Sequence, residues 1–256
     1  ARPAPPRKPS VALALSSTLS TSKADMDTLE QIIELVRKRK PADATQLQAS
    51  LSDPVARKLA EWMILRSDDN GAPVERYRNF IAENPSWPSV TFLRRRGEAA
   101  LWDDKRDDSI VLAFFSGEQP ISGKGRFMLA RALLARGDRA TAERLVREAW
   151  RSDPFSSDTE DTAFERFGTL LMPGDIKVRM DMLLYSGDNA EAALRSARRL
   201  GSGHVALAKA RTALNKKASN AKALLDAVPG DLHNDPLYLF SKAQWLRRED
   251  KFQEAA

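Results

Sequence analysis

The stretch Arg126–Pro154, RFMLARALLARGDRATAERLVREAWRSDP, decides the fold. Phe127, Ala130, Leu133 and Leu134 recur at helical spacing, and Ala142, Leu145, Val146, Ala149 and Trp150 do so again after a break. Gly137-Asp138 makes that break. Glycine accepts the left-handed backbone that closes a helix, and the Asp138 carboxylate can accept hydrogen bonds from the orphan amides that open the next. Asp153-Pro154 ends the second segment, because proline disfavours helical backbone in the residue before it. The spacing predicts a helical hairpin.

The grid of Leu129, Ala130, Leu133, Ala142, Val146, Ala149 and Pro154 resembles that of a tetratricopeptide-type repeat, in a degenerate copy with Arg126 where a tryptophan is usual. Ala130, Ala142 and Ala149 let two helix backbones approach while larger side chains fill the gaps. One hairpin cannot bury both of its faces, so neighbours are implied. The expected fold is all-α, an open superhelix of stacked helical hairpins.

Working outward, the same signals recur. The N-terminal ARPAPPRKPS and the Ser/Thr/Ala-rich run after it, residues 1–24, read as a disordered leader. The scaffold domain is expected over residues 25–256. Leu29, Ile32, Ile33 and Val36 form a first stripe, with Asp25 or Asp27 as its N-cap and the RKRK run 37–40 complementing its C-terminus. Asp53-Pro54 opens another helix, and Pro73–Glu83 forms a third. Val90, Leu93, Gly97, Ala100 and Leu101 give the stripe of the next. Ser109–Phe115 follows, then the central hairpin and a helix carrying Phe164, Phe167 and Leu171 up to Met172-Pro173-Gly174, with Asp175 beginning its successor. The Gly-Asp hinge returns at Gly187-Asp188. Two more passes run through Val205–Val228 and Leu237–Leu246. The second helix of the last pass has only residues 252–256, and arrays usually close on a polar capping helix, so the natural chain is expected to continue.

Composition narrows the chemistry. The absence of Cys excludes disulfides, thiol catalysis and cysteine metal sites. His204 and His233 stand at no metal-ligand spacing, so neither a metal nor another cofactor is expected. No run is long and apolar enough to span a bilayer. The net charge of +6, from 41 Lys plus Arg against 35 Asp plus Glu, suits attraction to a polyanion but falls short of the dense patch of a nucleic-acid binder. Nucleic acid is therefore not an expected partner. Gly123-Lys124-Gly125 and Gly201-Ser202-Gly203 lack the strand and the spacing of phosphate loops and read as helix breaks. The tryptophans Trp62, Trp87, Trp102, Trp150 and Trp245 read as core, with Trp87 between Pro85 and Pro88 the one best placed to meet a ligand. Arg94, Arg95 and Arg96 are consecutive, so they fan around a helix and cannot all face one ligand, but at least one should point into any groove present. Those arginines and Trp87 are the candidate ligand-binding residues.

NPSWPSVTFLRRRGEAAL, residues 84–101, and the Gly-Asp hinged hairpins ending in LRREDKFQEAA resemble the N-terminal α-superhelical domain of the soluble lytic transglycosylases of proteobacteria. The likeness runs over residues 25–256. It implies a periplasmic protein whose helical part is a U-shaped or ring-like scaffold beside a C-terminal lysozyme-like domain. That domain cleaves peptidoglycan between N-acetylmuramic acid and N-acetylglucosamine to leave 1,6-anhydro ends, using a glutamate in a Glu-Ser pair. No Glu in this sequence precedes Ser, so no catalytic residue is expected here. The implied partners are glycan strands, the lysozyme-like domain and other cell-wall proteins. The alternative is a free-standing helical-repeat adaptor that holds a protein segment in its groove.

Overall fold

The computed structural model describes residues 21–254 apart from Asp188. Among the described residues there are fourteen α-helices, two short 3-10 turns and no strand. Most of the proposed leader, residues 1–20, and the last two residues lie outside that range, as does Asp188 of the second Gly-Asp hinge. The chain divides into two compact units, one up to Ala72 and one from Pro73.

The first unit holds α1 (Lys23–Arg37), α2 (Pro41–Gln48) and α3 (Pro54–Arg66). Ile32, Ala44, Leu51, Ala56, Ala60 and Ile64 close its core. Two expectations are corrected. Helix α1 starts at Lys23 and its N-cap is Ser22, whose hydroxyl accepts from the Asp25 amide at 3.1 Å. Asp25 instead reaches across to the start of α3, accepting from the Ser52 amide at 2.9 Å, the Ser52 hydroxyl at 2.7 Å and the Asp53 amide at 3.0 Å. Helix α2 was not foreseen, because PADATQLQ has scarcely any apolar stripe; Pro41 at its first turn and packing against α1 and α3 hold it.

The second unit runs through α4 (Val74–Glu83), α5 (Val90–Asp103), α6 (Asp108–Phe115), α7 (Gly123–Ala135), α8 (Arg139–Ser152), α9 (Ser157–Phe167), α10 (Pro173–Ser186), α11 (Ala190–Leu200), α12 (Ser202–Asn215), α13 (Ala221–Asp226) and α14 (Pro236–Arg248). Helices α7 and α8 pack along one another as the quoted stretch predicts. Gly137 takes φ 83° at the break, and the Asp138 carboxylate accepts from the Thr141 amide at 3.1 Å. Phe127, Ala130, Ala142, Leu145, Val146, Ala149 and Trp150 are all buried there, together with Ala163 and Phe167 of α9. Helix α10 pairs with α11 and α12 with α13; α12 also touches α10 and α14. Their core is built from Met180, Leu183, Leu184, Ala193, Ala197, Leu207, Ala208, Leu214 and Leu225. Alanine at so many crossing positions brings the helix axes close.

One boundary shifts. Helix α10 opens at Pro173, not at Asp175; Asp175 sits at its third position and accepts from the Met172 amide at 2.8 Å. The glycines at the head of α7 are there for close approach rather than for phosphate. A Cβ at Gly123 would stand 2.5 Å from the Phe155 ring, and one at Gly125 would collide with the Glu98 carboxylate.

Candidate functional site

Helix α5 turns its apolar side, Leu93, Gly97 and Leu101, into the core. Its arginines then leave at roughly 100° steps. Arg94 swings toward α6, pairs with Glu118, donates to the Gln119 carbonyl at 2.8 Å and lies 3.7 Å from Glu98. It walls a cleft of about 340 Å³ between α4, α5 and the end of α6. Ile81, Ala82, Phe114 and Phe115 give that cleft an apolar floor; Arg78, Asn79, Ser116 and Glu118 give it a polar rim. The exposed Arg78 side chain makes no ion pair or hydrogen bond among the described residues.

Arg95 is exposed and leaves on another side of α5. It lines a second cleft, of about 450 Å³, with Ala99, Ser122, Lys124, Phe155, Ser156 and Thr159. Lys124 is held by Asp103 at 2.7 Å, and Asp153 in the same cleft accepts from the Gly123 amide at 2.5 Å. With Asp153 on the first amide of α7, and Glu98 accepting from the Ile121 and Ser122 amides just before it at 2.9 and 2.8 Å, carboxylates of the protein occupy the place an anion would take. Arg96 lays its guanidinium 5.1 Å over the Phe92 ring. Trp87 packs edge-on against Phe80 at 5.6 Å in the turn before α5 and lines neither cleft. The structure therefore separates the four candidates, with Arg94 and Arg95 in different clefts and Arg96 and Trp87 against neighbouring rings. Of the tryptophans, Trp150 is fully buried and the other four are half-buried.

Sequence reasoning missed the buried charges. Glu98 lies fully buried beneath Arg94, where it holds the start of α7 through the Ser122 hydroxyl as well as the two amides. Glu160 of α9, also fully buried, meets three guanidinium groups: Arg199 at 2.5 Å, Arg195 at 3.2 Å and Arg179 at 3.3 Å. Arg179 is itself buried, donates to the Trp150 and Asp153 carbonyls at 3.1 and 2.7 Å, and burial lowers its pKa from the usual guanidinium value. Asp175 takes Arg151 and Arg147 of α8. A signal for these was present, since Glu98 and Glu160 stand in otherwise apolar stripes, Leu93-Gly97-Leu101 and Ala163-Phe167. Asp25, Glu98, Glu160 and Asp175 are the buried carboxylates among the described residues, and arginines or backbone amides engage every one. None is offered to a cleft as a proton donor. The clefts present apolar floors and rims of mixed charge, an arrangement suited to holding a ligand. No group of three or more His, Asp or Glu that could hold a metal ion occurs among the described residues. Comparison with known proteins finds no matching family model, no similar curated protein and no similar solved structure.

Proposed function

We propose that this chain is the non-catalytic helical scaffold of a soluble lytic transglycosylase, a periplasmic protein that guides anionic peptidoglycan strands toward a lysozyme-like domain. On this reading the hairpins α7–α8, α10–α11 and α12–α13 belong to a tetratricopeptide-like solenoid. Their alanine-rich crossings and the Gly-Asp break support that. The observation that carries the functional reading is the cleft between α4, α5 and α6, with Phe114 on its floor and the unpaired Arg78 on its rim. Pyranose rings offer a face of C–H groups that lies well on apolar and aromatic surfaces. Peptidoglycan stems carry carboxylates that a free guanidinium attracts. The net charge of +6 adds long-range attraction that salt weakens.

Co-sedimentation of the purified chain with isolated sacculi tests the reading. Binding is expected at low salt, with a lower bound fraction at high salt and in R78Q. Retention that ignores both salt and R78Q would overturn it. Release of soluble 1,6-anhydro fragments by the chain alone would refute the non-catalytic assignment.

A further inference from the structure

Helices α10, α12 and α14 carry a second concentration of aromatic and cationic groups that the clefts on α5 do not use. Tyr185 and Phe240 are 52% and 43% exposed, with ring centroids 5.5 Å apart. Rings that size are normally buried, and an aromatic pair left open to water marks a contact surface. Beneath them lies Arg211 of α12, only 4% exposed, with its guanidinium carbon 4.7 Å from the Phe240 ring and 6.0 Å from that of Tyr185. Its one hydrogen bond is to the neutral Gln244 side chain at 2.7 Å, and its Nε atom has no partner. No carboxylate of the described residues pairs with it, whereas the other buried arginine, Arg179, has Glu160. Arg248 stands close enough to repel it and is exposed, anchored by one nitrogen to the Leu214 carbonyl at 2.5 Å.

A buried cation without an acid is expensive for a fold. Burial pushes the Arg211 pKa down from the usual guanidinium value, as that expense requires. Two cations and two open rings therefore find, among the described residues, neither the anion nor the apolar face that would complete them. We propose that Tyr185, Phe240, Arg211 and Arg248 form a subsite for a carboxylate-bearing sugar, resting on the glycan-binding reading above. The sugar ring stacks on Tyr185, with Phe240, tilted at 58° to it, against the sugar's edge. Its carboxylate pairs with Arg248 at the surface and feels Arg211 through protein rather than through water, where attraction is stronger at a given distance.

The test is calorimetric titration of the full chain with the disaccharide N-acetylglucosaminyl-N-acetylmuramic acid and with N,N′-diacetylchitobiose, which lacks the lactyl carboxylate. The acidic disaccharide is expected to bind about tenfold more tightly, the scale of one charge-assisted hydrogen bond. R248Q and Y185A, both surface changes, should abolish that difference. R211Q should also abolish it without lowering the melting temperature. Unchanged affinities in R248Q and Y185A would overturn the subsite, as would an R211Q that melts earlier yet binds normally. An acidic peptide without sugar that binds as tightly would transfer the surface to a protein partner and overturn it too. Failure of the wild-type chain to sediment with sacculi would refute the broader reading, whereas sedimentation with indifferent variants would refute this subsite alone.

Discussion

At the scale of single residues, the strongest constraints are close approaches that no helix propensity scale anticipates. Gly125 lies inside α7, where alanine would ordinarily stabilise a helix by up to about 1 kcal/mol. Here a Cβ would displace the Glu98 carboxylate from the amides of Ile121 and Ser122. G125A is therefore expected to lose about 2 to 4 kcal/mol in urea unfolding, on the scale of other changes that disrupt a buried charged network. A gain in stability would contradict the packing described. Asp25 supplies a pH effect. Hydrogen bonds from Ser52, first its amide and then its hydroxyl, hold the Asp25 carboxyl below the ordinary value of 3.8. A carboxylate with a depressed folded-state pKa stabilises the fold above its unfolded value, and that stabilisation fades as the pH falls through the folded value. Melting temperature should thus decline as the pH drops below 3.8, with a shallower decline in D25N.

At the scale of elements, one device recurs within each unit. An acid on one helix holds the start of the next helix but one, Asp25 of α1 on α3 and Glu98 of α5 on α7. The helix N-terminus has amides without intrahelical acceptors, and a carboxylate satisfies them while favouring the dipole. Glu160 plays a related part, tying α9 to α10 through Arg179 and to α11 through Arg195 and Arg199. E160Q would leave three guanidinium groups around a neutral amide. A loss of about 3 to 5 kcal/mol is expected, the usual range for breaking a buried ion pair from one side, measured by chemical denaturation. Most helices were legible because their stripes repeat locally. Helix α2 was not, having no stripe, and neither were the amides held by Asp25 and Glu98 or the arginines around Glu160, since each of these lies at least 19 residues away.

At the scale of the molecule, the expectation is a protein that holds and does not cut. Far-UV circular dichroism should be dominated by helix, in keeping with the 73% helix and the absence of strand among the described residues. Sacculus binding should weaken with ionic strength, because the excess of 41 basic over 35 acidic side chains acts through water and is screened beyond about 10 Å. Sedimentation across a salt series measures this.

Residue order alone determined the helical class and the hairpin at Arg126–Pro154, because a period of 3.6 and a Gly-Asp break are properties of neighbouring residues. It also determined that Arg94, Arg95 and Arg96 would diverge. Only the tertiary structure decided which surroundings each would meet, that Arg211 would be buried with no acid of the described residues beside it, and that Glu98 would sit against Gly125. Those outcomes depend on which helices lie side by side, and a buried charge takes its surroundings from chain segments that local periodicity does not connect.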